Sequence, residues 1–184
     1  EVDGIAVQDP QNPDWFPNEG FKNSMVDVRG TEPLYHEVRS VPHGKVDYVN
    51  YYSETLGLHG NAIVYTPPTY DKNLDKKYPV FYLISGTTDT EEVYFKVGKM
   101  NLILDNLIAQ GKAKPMIVVF TNGNISQEAA PGENSTGYTR PTMQLPQTME
   151  GTFETSFPEI VKFIDSNYKT IAKKQSRAIC GLSM

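Results

Sequence analysis

The 184-residue sequence predicts an α/β domain, and three observations carry that prediction. Tyr78-Pro79-Val80-Phe81-Tyr82-Leu83-Ile84 and Met116-Ile117-Val118-Val119-Phe120 are short, nearly continuous apolar runs, the pattern of strands covered on both faces. Between them, Met100, Ile103, Leu104, Leu107 and Ile108 recur at helical spacing. A second helical stripe and a third apolar strand follow before Met184. Strands separated by helices in this way build a mostly parallel sheet with crossover helices.

From residue 1 to about 40 the chain is rich in turn formers, such as Asp9-Pro10-Gln11-Asn12-Pro13 and Pro17-Asn18-Glu19-Gly20. Only 2–7 and 25–28 read as short strands, with Asp3-Gly4 a hairpin-type turn pair. Such a stretch cannot bury enough apolar surface to fold alone. Residues 1–42 therefore read as a linker and the tail of another module, and the folded domain is expected over 43–184. Residues 46–52 and 61–66 alternate as two strands, ended by Pro67-Pro68. The apolar run at 78–84 is the third strand, and the helix over 100–108 stops at Gly111. After the strand at 116–120, Ser156-Phe157-Pro158-Glu159 has the form of a capping box. It should open a helix whose buried stripe is Phe157, Ile160, Val161, Ile164 and Tyr168. Residues 176–182 form the last strand.

Residues 122–150 are Gly, Pro, Thr, Asn and Gln without periodicity. A loop of this length is either functional or a surface excursion. This one leaves the carboxyl end of a strand, where open α/β sheets place their ligands. The strand at 116–120 should lie beside the last strand or close to it. Tyr138 and Arg140 then suit substrate binding, as a flat apolar face and a hydrogen-bond donor.

Composition removes several function classes. Hydrophobic residues make up 39% and charged residues 21%, which excludes a globally disordered chain. No run of 18 apolar residues exists, so no membrane-spanning helix is expected. A net charge of -5 with scattered Lys and Arg argues against duplex nucleic acid as a partner. The single cysteine, Cys180, excludes an internal disulfide framework and a Cys-rich zinc site. It is expected to be buried as a small hydrophobe. Three histidines and unpaired carboxylates make no metal site, and no cofactor is expected. Glu1-Val2-Asp3-Gly4 is not a signal peptide.

The chemistry concentrates at two points. Gly181-Leu182-Ser183-Met184, directly after Arg177-Ala178-Ile179-Cys180, supplies the first four positions of a G-x-S-x-G nucleophile elbow. The elbow holds its serine in a strained strand-to-helix turn, where side chains two residues to either side would collide with backbone. A plain Gly-Ser turn capping a helix is the alternative. The second point is Ser85-Gly86-Thr87-Thr88, after the strand at 78–84. In α/β-hydrolases that loop gives one backbone N–H to an oxyanion hole, here Thr87, and the residue after the nucleophile, here Met184, gives the other. Gly86 lets the backbone approach a substrate oxygen. The same loop also reads as a strand-to-helix turn with Thr90 or Asp89 as N-cap. His36, His43 and His59 all precede the strand at 78–84, whereas the fold orders nucleophile, acid, then histidine. All three read as loop or surface residues, with His59 in the turn joining the first two strands.

From about Val41 to Met184 the chain resembles the esterase family of α/β-hydrolases that includes feruloyl and acetylxylan esterases, enterochelin esterases and S-formylglutathione hydrolases. Its feruloyl/acetylxylan branch is carbohydrate esterase family 1. The resemblance lies in Val41-Pro42-His43-Gly44, Val64-Tyr65-Thr66-Pro67-Pro68-Thr69-Tyr70-Asp71 and Lys77-Tyr78-Pro79-Val80-Phe81-Tyr82-Leu83. It continues through Leu104-Asp105-Asn106-Leu107-Ile108, Lys114-Pro115-Met116-Ile117-Val118-Val119 and Ala178-Ile179-Cys180-Gly181-Leu182-Ser183-Met184. The feruloyl/acetylxylan branch is the most similar. Residues 1–30 resemble, more weakly, the last hairpin of an immunoglobulin-like carbohydrate-binding module. Where the family often carries His-Gly, this chain has Ser85-Gly86, as the formylglutathione branch does.

The resemblance implies the first part of an α/β-hydrolase fold and a serine carboxylesterase acting on feruloyl or acetyl groups of xylan-like polysaccharide. Ser183 is then the nucleophile, Thr87, Met184 and Gly86 form the oxyanion hole, and the triad acid and histidine follow the serine. The last strand would lie at an open hydrophobic edge. A polysaccharide substrate implies a secreted, periplasmic or cell-surface bacterial protein. Two rivals remain at this point: an enterochelin- or formylglutathione-type esterase, and an inactive, esterase-like carbohydrate-binding protein.

Overall fold

In a computed structural model, residues 2–5, 7–18, 23–72, 75–86, 89–123 and 152–182 are described. Their strands are β1 (Lys45–Ser53), β2 (Leu58–Thr66), β3 (Val80–Ile84), β4 (Ile117–Thr121) and β5 (Arg177–Gly181). The helices are α1 (Val93–Lys96), α2 (Met100–Ala109) and α3 (Thr152–Asn167), with a 3-10 turn at Lys174–Ser176 before β5. One sheet has the order β1-β2-β4-β3-β5. β3 pairs in parallel with β4 and with β5, while β2 pairs antiparallel with β1 and β4. The predicted parallel sheet is therefore its β4-β3-β5 half. A four-residue turn allows only an antiparallel return between β1 and β2.

Each face of the sheet buries its own core. Ala62, Val64, Tyr78, Val80, Tyr82, Ile117 and Val119 pack with Ile160 and Ile164 of α3. Ile63, Tyr65, Leu83, Val118 and Phe120 pack with Leu104 of α2. Alternate residues of β2 and β4 thus serve opposite cores, which is why residues 62–65 and 117–120 are apolar in succession. Full burial of one such side chain is worth roughly 1.5–3 kcal/mol. Because β3→β4 and β4→β5 run in opposite directions along the sheet, right-handed crossovers put α2 and α3 on opposite faces.

Two predicted elements end differently. Gly111 stops α2 as expected, at a φ of 69°. Ser156, however, lies inside α3, and its hydroxyl donates to the Phe153 carbonyl at 3.0 Å. Glu159, the expected partner in a capping box, instead accepts from Ser53 Oγ, Thr55 N–H and Thr55 Oγ1. Three donors at the β1 turn outcompete one backbone N–H. His59 lies in β2 opposite Tyr52, not in the turn expected to join the first two strands, because β2 begins at Leu58. Residues 25–28 form no strand: Val26 and Val28 are both 84% exposed, and only Ser24 makes a bridge, to Trp15. Val2 and Ile5 make a single bridge around Asp3-Gly4.

Residues 14–18 and 23–43 lie along α1 and α2. Lys96 sits over the Trp15 ring at 4.2 Å, and Lys99 donates to Asp27 at 2.7 Å. Asn106 Nδ2 donates to the carbonyls of Tyr35 and Glu37. Asp105, 2% exposed, accepts from Gly44 N–H at 2.9 Å and Tyr65 Oη at 2.7 Å, and its other oxygen lies 2.8 Å from His43 Nδ1. A Cβ on Gly44 would overlap the Thr66 carbonyl and the Tyr65 ring, so only glycine fits there. Buried Asp105 and partly exposed His43-Gly44 form one clasp, and Asn106 beside it holds Tyr35 and Glu37.

Asp105→Ala strips three partners at once and leaves the Tyr65 hydroxyl buried without an acceptor. Urea unfolding should show a loss of about 3 kcal/mol, and a loss below about 0.5 kcal/mol contradicts the clasp. At Glu159, burial raises the pKa, but the hydrogen bonds from Ser53 and Thr55 outweigh it and hold it below the ordinary 4.5. Its contribution is therefore present above pH 4.5 and lost as pH falls through the lower folded-state value. The stability difference between wild type and Glu159→Gln should shrink as acid is added; a growing difference contradicts this assignment.

Candidate active site

The candidate site is set by strand register. Ile84 at the end of β3 pairs with Thr121 of β4 on one side and Gly181 of β5 on the other. Three parallel strands therefore end at one level, about 4.8 Å apart. Ser85-Gly86 leaves the middle one, and Gly181-Leu182 leaves its neighbour. Ser183 and Met184 follow directly, as does Thr87 after Gly86, but all three lie outside the described residues, and so do Tyr138 and Arg140. β3 and β5, which lead to Thr87 and Ser183 in the sequence, are described. β4 is one strand further from β5 than direct adjacency, with β3 between.

Gly86 is buried, and the loop around it is held from several sides. Ser85, fully buried, donates its hydroxyl to the Asp89 carbonyl at 2.8 Å and accepts the Gly123 N–H at 3.2 Å. Its own N–H donates to the Thr121 carbonyl, and Asp89 N–H donates to the Gly86 carbonyl at 3.0 Å. Tyr94 Oη donates to the Ile84 carbonyl at 3.1 Å, and burial raises its pKa. Ser85 thus ties the loop after β3 to the end of β4. An imidazole in its place could not fill the same buried space with both bonds. Thr90 Oγ1 accepts the Glu92 N–H at 3.3 Å, a local turn just before α1, but the N-cap is Glu92 and no side chain caps it, so the expected cap at Thr90 is corrected. Asp89 caps nothing: its carboxylate accepts from Asn18 Nδ2 at 2.9 Å.

The described histidines stand away from β5. His43 precedes β1, whose first residue lies level with the amino end of β4. It is at least about 13 Å along the strands from their carboxyl ends. His59 is near the carboxyl level, but β2 is three strands from β5, about 14 Å. Its ring packs edge-on against Tyr52, with centroids 5.1 Å apart. His36 sits in the segment held by Asn106. None is positioned as the base for a serine beyond Gly181.

Two expectations about β5 are corrected. Cys180 is exposed, because β5 is the edge strand of the described sheet and four of its five residues are bare. Ile179 and Leu182 are 57% and 64% exposed, the expected open apolar edge. A Cβ on Gly181 would meet only Ile84, at 3.6 Å, among the described residues. That is ordinary contact, since Gly181 is still in regular parallel register. The crowding expected at the elbow's first glycine is therefore absent among these residues. Sequence reading missed the Ser85 hydroxyl and Asn18. The placement of Ser85 between an apolar run and Gly86 was the available signal for the first; nothing local marked the second.

Among the described residues, no three His, Cys, Asp or Glu side chains are grouped to hold a metal, and no helix is long and apolar enough to cross a membrane. A hollow lined by Tyr51, Asn61, Asn122, Phe153 and Phe157 lies beside the end of β4. Burial, then the Glu159 and Glu91 carboxylates, push Tyr51 up to about 12, so its hydroxyl stays protonated.

The Esterase family model, described as putative esterase, matches residues 53–184. The whole chain is 32% identical over 188 residues to an endo-1,4-beta-xylanase/feruloyl esterase of Xylanibacter ruminicola, of which it covers 24%. A 123-residue stretch, 64% of the chain, is 30% identical to endo-1,4-beta-xylanase Y of Acetivibrio thermocellus and covers 9% of it. Among solved structures, a ferulic acid esterase is similar over 77% of this chain and 50% of its own, at 32% identity and a TM-score of 0.58. The fold of a ferulic acid esterase from Anaeromyces mucronatus matches with a TM-score of 0.67 at 21% identity, over 87% of this chain and 57% of the other. The chain thus spans about a quarter of the first curated relative and about half of these solved structures. It belongs to the esterase family and carries part of the α/β-hydrolase fold.

Proposed function

We propose that this chain is the nucleophile-bearing part of a serine carboxylesterase that removes feruloyl or acetyl groups from plant cell-wall polysaccharide such as xylan. One observation carries the reading: the pairing of Ile84 with Gly181 starts the Gly86 loop and the Gly-x-Ser segment side by side. Likeness to proteins named feruloyl esterase supports the acyl class. In this reading Ser183 Oγ attacks the ester carbonyl while a histidine takes its proton. The Thr87 and Met184 amides hold the oxyanion, with Gly86 giving the carbonyl room to approach. The histidine returns the proton to the leaving sugar hydroxyl. Water then attacks the acyl-serine, releasing the acid and restoring Ser183. The histidine and its acid partner belong after the serine in chain order. Neither a cofactor nor a metal enters the scheme. Tyr138 and Arg140, in the long segment after β4, recognise the sugar or phenolic portion. A polysaccharide substrate places the protein outside the bacterial cytoplasm, whether secreted, periplasmic or on the cell surface.

The test uses the full-length product of the gene, assayed on feruloylated xylan oligosaccharides, methyl ferulate and p-nitrophenyl acetate. Ser183→Ala should lower kcat by about 10⁴-fold or more on all three, and rates within about tenfold of wild type would remove Ser183 as nucleophile. A folded wild type inert on all three, yet binding xylan oligosaccharide, would favour the carbohydrate-binding rival. Deleting residues 132–147 should abolish activity on the oligosaccharide and spare p-nitrophenyl acetate hydrolysis. Unchanged kinetics on both would remove Tyr138 and Arg140 from recognition.

A further inference from the structure

The loop after β3 has a support from far away in the chain. Asn18, 6% exposed, donates from Nδ2 to Asp89 Oδ1 at 2.9 Å. The two residues also form an antiparallel bridge, and Thr90 N–H donates to the Pro17 carbonyl at 3.3 Å. Asp89 in turn is bound at its N–H to the Gly86 carbonyl and at its carbonyl to the Ser85 hydroxyl. Asn18 is therefore two bonds removed from Gly86. Its own segment is fixed independently: Trp15 bridges to Ser24, Met25 N–H donates to the Asp14 carbonyl at 2.9 Å, and Lys96 of α1 covers the Trp15 ring.

This arrangement exceeds what a linker requires. A linker needs exposed, polar, self-sufficient backbone, yet Asn18 buries an amide against a carboxylate at the turn whose geometry matters most. A backbone donor aimed at a developing oxyanion must be held to within a fraction of an ångström, and a loop leaving a strand end does not achieve that unaided.

We propose that Asn18 is a positioning residue for the oxyanion loop, so that the segment before the esterase domain is a working part of its active site. The proposal rests on the esterase reading above. Asn18 touches no substrate. It acts through Asp89, whose N–H holds the Gly86 carbonyl and whose carbonyl holds the Ser85 hydroxyl.

The experiment reverses the polarity of the bond in the full-length gene product. Asn18→Ala removes the donor, Asn18→Asp opposes two carboxylates, and the double variant Asn18→Asp/Asp89→Asn restores an amide–carboxylate pair in the opposite sense. Both single variants should lower kcat by about 10- to 100-fold with KM within about twofold, because the donor is displaced rather than the substrate lost. The double variant should recover kcat to within about threefold of wild type. Amide exchange, read on the same proteins, should quicken about tenfold over residues 85–90 and stay unchanged in β4. Where Asn18→Ala lowers Tm by more than about 10 °C, Asn18→Ser is read in its place.

Unchanged kcat in folded single variants, or a double variant no better than Asn18→Asp, overturns the proposal. Faster unfolding or a lower Tm with kcat per labelled active site intact makes Asn18 purely structural and also overturns it. A Ser183→Ala protein that keeps full activity removes the esterase reading itself, an outcome distinct from any change in exchange at residues 85–90.

Discussion

Everything at the candidate site depends on the central position of β3. It is hydrogen-bonded in parallel on both sides, to β4 and to β5, with Ile84 level with Thr121 and Gly181. A slip of one residue in either pairing would turn every side chain to the opposite face and offset Gly181 from Ile84, the level that the proposed site needs. The two cores oppose such a slip. Val80 and Tyr82 belong to the α3 side and Leu83 to the α2 side, so a shifted strand would expose apolar groups on both faces. Packing thus fixes register, and register fixes the site.

Around that frame, polar contacts hold the excursions in place. Asp105 and Asn106 clamp the approach to β1 onto α2. Ser85 joins the end of β3 to the end of β4, and Asn18 reaches Asp89 from the start of the chain. At the other end of β5, Arg177 pairs with Asp165 of α3, anchoring a strand that has a neighbour on one side only among the described residues. These bonds are individually modest, about 1 kcal/mol each when neutral and more when charged. Their value lies in direction: each restrains a turn that leaves the same sheet edge, or the helix that backs it.

The α/β class and all five strands were legible because both cores impress themselves on the sequence. Val118, Val119 and Phe120 are apolar in succession since consecutive side chains serve opposite faces. Contacts between distant segments were not legible. Asp105 in an apolar helical stripe gives no sign that Gly44 and Tyr65 will use it, and Asn18 in a turn-rich stretch looks like its neighbours. The capping-box pattern at Ser156 failed for the same reason, since Glu159 found donors over a hundred positions away. Cys180 failed differently: an apolar strand pattern reports what could be covered, while exposure depends on which strand lies next to it. Gly181-Leu182-Ser183 was read from local pattern and family resemblance, and the structure adds the register of Gly181 with Ile84.

In the function proposed above, the loop after β3 and the serine after β5 make one catalytic centre. The most direct measurement is a crystal structure of the full-length gene product treated with an aryl phosphonate that mimics the tetrahedral intermediate. The account predicts phosphorus bonded to Ser183 Oγ, with the phosphonyl oxygen about 2.7–3.1 Å from a backbone N–H just after Gly86. A label on another residue, or a phosphonyl oxygen turned away from that loop, would contradict it.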